Sequence, residues 1–202
     1  VGISLQQFKQ MKNRLGGSSR AAAPLLESSL RRAASTHQII LGVDPSLRCT
    51  GYGVVQSAKP QPCALDYGAI PCPPAWPHSR CLVRIAQTLR DLIRRHHPTV
   101  CVIEGLFFAQ NLQTALTLGE ARGAALSVIA EAGLDIYEIS PRKVKQAIVG
   151  YGAAQKIAVA KMVQRQLRLA ELPAPDAADA LALALTHAAG NNRYSLNAPK
   201  RI

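Results

Sequence analysis

Asp44, Glu104, Asp176 and Asp179 are the residues of this 202-residue chain whose type and placement could do chemistry. Acid is scarce here, with twelve Asp and Glu against twenty-four Lys and Arg and a formal charge of +12. Such an excess of positive charge attracts polyanions, nucleic acid first among them, because bound phosphates release their counterions. Carboxylates gathered beside a basic surface suit hard divalent ions such as Mg²⁺, which take oxygen ligands and assist displacement at a phosphodiester. Each acid alone has a plainer explanation. Asp44 precedes Pro45, a common turn; Glu104 ends an apolar run as rim residues do; Asp176 suits the positive end of a helix dipole. Asp179 is harder to explain that way, because it sits within the almost wholly apolar stretch 177–185. Asp176 and Asp179 are three residues apart and so share a helix face. No Lys or Arg occurs from 169 to 189, and the local sequence offers these acids no ion pair.

The elements that must position the acids follow from the apolar pattern. Residues 39–43 form a short apolar run feeding Asp44-Pro45, a buried strand stopped by proline. Residues 50–55 and 65–70 predict two further strands in an antiparallel meander. Pro71, Pro73, Pro74 and Pro77 exclude regular structure up to about His78, the stretch that also holds the single tryptophan, Trp76. From Arg80, Leu82, Ile85, Leu89 and Leu92 recur at helical spacing, with Arg90, Arg94 and His97 on another side. Residues 99–104 predict a continuous apolar strand ending in Glu104, and 111–131 an Ala- and Leu-rich helix. A strand at 135–139 precedes Ser140-Pro141, good N-cap and N1 residues. Gly150 and Gly152 break that helix, 155–169 resumes it, and a last helix covers 176–189. The order β-β-β-α-β-α-β-α-α predicts an α/β protein with a mixed sheet flanked by helices. With Asp44 and Glu104 at strand ends, neighbouring strands would bring both acids out at one edge.

Composition narrows the class. No apolar run approaches the roughly 18 residues that span a bilayer. The five cysteines (Cys49, Cys63, Cys72, Cys81, Cys101) are odd in number and contain no Cys-x-x-Cys pair, which suits reduced thiols in a cytoplasmic bacterial protein. Residues 1–38 carry Lys9, Lys12, Arg14, Arg20, Arg31 and Arg32 against the single acid Glu27, around a Ser/Ala/Gly-rich middle. That is the composition of a transit peptide or of a dispensable basic extension, and the second reading is preferred, with flexibility expected. Residues 39–190 are then the folded domain and 191–202 a basic tail. Between Glu138 and Glu171 there is no acid, while Arg142, Lys143, Lys145, Lys156, Lys161, Arg165 and Arg168 all occur. Solvated faces normally mix signs, so a single-signed stretch points to phosphate contact.

Four segments, ILGVDPSLRCTGYGVV (40–55), VIEGLFFAQNLQTALTLGEARG (102–123), SPRKVKQAIVGYGAAQK (140–156) and PDAADALALALTHA (175–188), occur in the order and spacing of one family. Together they resemble the RuvC Holliday-junction resolvases. The resemblance implies an RNase H-like fold with a mixed five-stranded sheet, a homodimer, and an endonuclease that nicks two opposed strands of a four-way DNA junction symmetrically in recombination and repair. It implies Mg²⁺ as cofactor, two ions per site with Mn²⁺ as a substitute, and the RuvA–RuvB branch-migration motor as the family's working partner. Asp44, Glu104, Asp176 and Asp179 align with the family's metal-binding acids. Phe107 aligns with its junction-centre aromatic, and Lys145 and Lys156 with bases near the cleaved backbone; Arg142 and Lys143 join these as DNA-contact residues. The 111–131 helix, with Gly119, Ala121, Gly123, Ala124 and Ala125, corresponds to its dimer helix. In this scheme Asp44 bridges the two ions, Glu104 and Asp179 complete their shells, and Asp176 is shared or acts through water. Two departures stand out: the proline-rich 71–78 segment, and Gln110 where many relatives have lysine.

Three other readings share parts of this pattern. An actin-like or sugar-kinase ATPase also follows a first strand ending in Asp with glycine, but needs two related domains. A nuclease of ribosomal RNA precursors shares the first motif and lacks ALTLGEARG. A silent junction-binding protein would keep binding without metal-dependent nicking.

Overall fold

The structure is a computed structural model that describes residues 38–58, 60–105, 111–190 and 200–202. The 1–37 part of the extension, Phe107, Gln110 and most of the C-terminal tail therefore lie outside the described residues.

Strands β1 (Ile39–Asp44), β2 (Cys49–Gln56) and β3 (Cys63–Pro71) form the antiparallel meander. Helix α1 (His78–His96) carries the chain to β4 (Val100–Glu104), which pairs with β1 in parallel. Helix α2 (Leu112–Glu131) leads to β5 (Asp135–Ile139), parallel to β4. Then come α3 (Pro141–Val149), α4 (Lys156–Leu167) and α5 (Pro175–Gly190). The sheet order is β3-β2-β1-β4-β5-β6. Its sixth strand corrects the expected five: Lys200–Arg201 in the C-terminal tail pairs antiparallel with Tyr137 and Glu138. Two residues carry no period-2 signal, so the sequence pattern could not show them. Helix α1 also begins two residues before the expected Arg80.

The central strands are buried on both faces, and their alternation sorts side chains between two cores. Leu41, Val43, Cys101 and Ile103 pack with α1 and α2 residues such as Ile85, Leu89, Ala125 and Ile129. Ile40, Val100 and Val102 pack on the other side with Val144, Val159, Leu181 and Leu183 of α3, α4 and α5. Asp44 has the parity of Ile40, and Glu104 that of Val100 and Val102. Both acids therefore project toward the α3–α5 face.

Helix α5 lies unusually close to that face. A methyl group at position 42 would stand 2.0 Å from the Ala180 carbonyl oxygen, and one at 51 would stand 2.0 Å from that of Asp176. At Gly53 it would meet the Leu181 side chain at 2.8 Å. Only glycine lets the helix backbone approach so far. Ala177, Ala178, Ala180, Ala182 and Ala184, all buried, are the small residues that match it from the helix side.

The proline-rich segment is tied down rather than loose. Arg48, in the β1–β2 turn, donates to the Pro73 and Trp76 carbonyl oxygens, both at 3.0 Å. The Arg80 guanidinium lies 3.9 Å from the centre of the Trp76 ring, a cation–π contact.

Candidate active site

The β1–β2 turn that follows Asp44 is closed by one buried side chain. Thr50 Oγ1 donates to the Ser46 carbonyl at 2.6 Å and accepts from the Ser46 N–H at 3.2 Å. The turn thereby delivers Asp44 opposite Gly51, directly under the start of α5. On the neighbouring strand the register Val43↔Ile103 sets Asp44 beside Glu104 at the carboxyl ends of two parallel strands. The ladder runs on one step past Glu104, where the Gly105 N–H donates to the Ile139 carbonyl at 2.8 Å.

Glu104 is also held from behind. Arg122 of α2, only 6% exposed, donates to the Glu104 carbonyl oxygen and pairs with the Glu138 carboxylate. A buried guanidinium needs such partners, and here they tie α2 to the ends of β4 and β5. Sequence reasoning passed over Arg122, which looked like one more base in a basic chain.

Asp44, Glu104 and Asp179 line a hollow of about 230 Å³ together with Pro141, Val144, Lys145, Lys156, Val159 and Leu183. Lys156, the first residue of α4, donates from Nζ to Asp179 Oδ2 at 3.0 Å. The absence of a local base near Asp179 thus conceals a partner twenty-three residues earlier in the chain. Asp176 is not among the residues lining the hollow; it lies beside the Cys49 thiol, which burial and the neighbouring carboxylate push up to about 11. Lys156 feels the field of Asp44 and Asp176 as well, and its ammonium is held above its ordinary value chiefly by the Asp179 hydrogen bond.

One lysine does not balance these acids. Burial, the adjacent Glu104 charge and the hydrogen bond with Glu104 push Asp44 up to about 8. Burial likewise raises Glu104. Two carboxyl groups in hydrogen-bond contact share a proton unless a cation replaces it. The donors here are all carboxylate oxygens, the ligand type that hard divalent ions prefer, so the residues fit such an ion. Among the described residues no three His, Cys, Asp or Glu side chains are drawn together tightly enough to enclose an ion as they stand.

The expected DNA-contact residues divide. Lys145 and Lys156 line the acid hollow. Arg142 lines a larger cavity next to it, and Lys143 is exposed on α3. Lys161 and Arg165 stand four residues apart on α4, whereas Arg168 caps that helix in the left-handed region at φ 52° and leaves the helical face.

Comparison with known proteins agrees with this architecture. Residues 40–187 match the family model described as crossover junction endodeoxyribonuclease RuvC. The protein of that name from Akkermansia muciniphila is 47% identical over 148 residues, 73% of this chain and 89% of the relative. Its counterpart from Chloroflexus aurantiacus is 44% identical over 149 residues, 73% and 91% of the two chains. Among solved structures, T. thermophilus RuvC in complex with a Holliday junction substrate superposes with a TM-score of 0.73 at 34% identity, covering 82% of this chain and all of that one.

Proposed function

The chain belongs to the RuvC family of crossover junction endodeoxyribonucleases, and we propose that it resolves four-way DNA junctions by symmetric paired nicking during recombination and repair. The observation that carries this reading is the convergence of Asp44 and Glu104, from the ends of adjacent parallel strands, with Asp179, Lys145 and Lys156 on one hollow. Asp44, Glu104, Asp179 and Asp176 are the proposed catalytic acids, and Mg²⁺ is the proposed cofactor, two ions per site with Mn²⁺ able to replace it. When bound, the metal supplies Lewis-acid stabilisation of attacking and leaving oxygens.

The chain's own residues do the rest. Asp44, Glu104 and Asp179 would hold the ion through their carboxylate oxygens. Lys145 and Lys156, on the basic side of the hollow, hold a phosphate against the acids and stabilise charge growing on its oxygens. Arg142 and Lys143 extend that contact along the strand, with Phe107 proposed at the junction centre from the family resemblance. The exposed side of α2 supports a homodimer: Leu112 and Leu116 are 75% and 54% exposed, and nothing lies within 4 Å of a methyl built at Gly119 or Gly123. Collaboration with a RuvA–RuvB motor and residence in the bacterial cytoplasm belong to the same proposal. No helix among the described residues is long and apolar enough to cross a membrane.

The test is to incubate the protein with a synthetic four-way junction, a linear duplex and an RNA–DNA hybrid, with and without Mg²⁺. Paired, ligatable nicks confined to the junction and dependent on metal are expected. Equal cutting of the hybrid would favour an RNA-directed nuclease, and binding without nicking a silent junction binder.

A further inference from the structure

Beside the acid hollow lies a second cavity of about 820 Å³, whose lining includes Pro141, Arg142, Lys145, Gly150, Tyr151 and Gly152. Pro141 and Lys145 line both. A strand whose phosphate rests against the acids therefore has its next nucleotide at the mouth of this cavity. The walls match a nucleotide in each part. Arg142 and Lys145 supply positive charge for a phosphate, and no acid is among the lining residues. Tyr151 supplies an aromatic face and is 65% exposed, which leaves its ring open to a base.

The backbone builds the site rather than leaving it to chance. Gly150 ends α3 in the left-handed region at φ 86°, its N–H donating to the Gln146 carbonyl at 2.9 Å. The Ala154 N–H then closes onto the Tyr151 carbonyl at 3.2 Å, so the tyrosine opens a tight turn whose corner is Gly152 and Ala153. At Gly152 a methyl would fall 2.9 Å from Arg142 Cγ, so the arginine stem lies flat against the glycine. Gly150 and Gly152 thus do more than interrupt a helix: they set Tyr151 and Arg142 on one cavity.

We propose that this cavity seats the nucleotide adjacent to the cleaved phosphate, its base stacked on Tyr151, making Tyr151 a determinant of where the junction is cut. The assignment rests on the proposed nuclease function for the identity of its ligand. Stacking tolerates every base but favours large, weakly hydrated ones, so it biases the choice of cutting position.

Four-way junctions carrying a single 2-aminopurine at successive positions around the branch point test this in EDTA, where cutting plays no part. Emission is expected to fall on binding of the unaltered protein and of Tyr151→Phe at one position, and to stay unchanged there with Tyr151→Ala. With Mg²⁺, the spread of cutting rates across junctions of varied sequence is expected to narrow by about tenfold in Tyr151→Ala. Identical emission profiles for the unaltered protein and Tyr151→Ala would overturn the assignment. Quenching at one position by a protein that never nicks would support the cavity and overturn the nuclease reading instead.

Discussion

The two faces of the sheet treat charge in opposite ways. On the α1–α2 side, acids are matched one by one: Glu120 with His78, Glu131 with Arg90, and Glu138 with the buried Arg122. On the α3–α5 side, Asp44, Glu104 and Asp179 share a hollow in which Lys156 is the base that makes a direct ion pair. The first arrangement is what a stable fold selects; the second costs stability in the absence of a bound cation. Such local violations mark functional sites, and here the violation lies on the glycine-paved face where α5 touches the sheet.

The strongest way to sharpen the contrast is Asp44→Asn. Junction cleavage is expected to fall roughly a thousandfold while junction affinity holds or rises, because one negative charge facing the phosphate is gone. Gel-shift and nicking assays on the same junction measure both, and loss of binding at unchanged stability would sink the ligand assignment. On the opposite face, Arg122→Met should cost about 3–5 kcal/mol by stranding Glu138 and the Glu104 carbonyl. A denaturant titration reads this, and adding Glu138→Gln should recover part of it; a cost under about 1 kcal/mol would show that α2 is not anchored through this pair.

Gly42→Ala is expected to destabilise by about 1–3 kcal/mol and to reduce nicking together with stability, since a methyl 2.0 Å from Ala180 oxygen pushes α5 and its acids off the sheet. Thermal unfolding alongside nicking checks it, with Gly119→Ala as the control at an open position. The smallest effect, read per step of pH, concerns the metal-free protein. Asp44 binds its proton more tightly folded, with a value near 8, than unfolded, near 3.8. Its contribution to stability is therefore full below about pH 3.8 and lost as pH rises toward 8, at no more than about 1.4 kcal/mol per pH unit. Unfolding midpoints from pH 5 to 8 should fall in the unaltered protein and flatten in Asp44→Asn; parallel curves would remove the shared-proton account.

Much of this fold was legible before any coordinates. The strand ending at Asp44, the strand at 135–139 and the Ser140-Pro141 helix start follow from period, proline and N-cap chemistry, which act over a few residues. The acids were legible because charge inside apolar runs is conspicuous. Arg122 and Lys156 were not legible in their roles, since each meets its acid through the fold: Arg122 sixteen residues from Glu138, Lys156 twenty-three from Asp179. The glycines of the first two strands read as turn and strand residues, and only the position of α5 shows why a methyl is forbidden there.

The sequence by itself determined the elements apart from the two-residue sixth strand, their order and the scarcity of acid among bases, because propensity, periodicity and capping are local. The tertiary structure decided that Asp44 and Glu104 meet on one face, that Asp179 descends on them with Lys156 beside it, and that Tyr151 and Arg142 share a cavity next door. Those outcomes depend on strand order and on a helix-to-sheet distance, quantities that many separated residues set together.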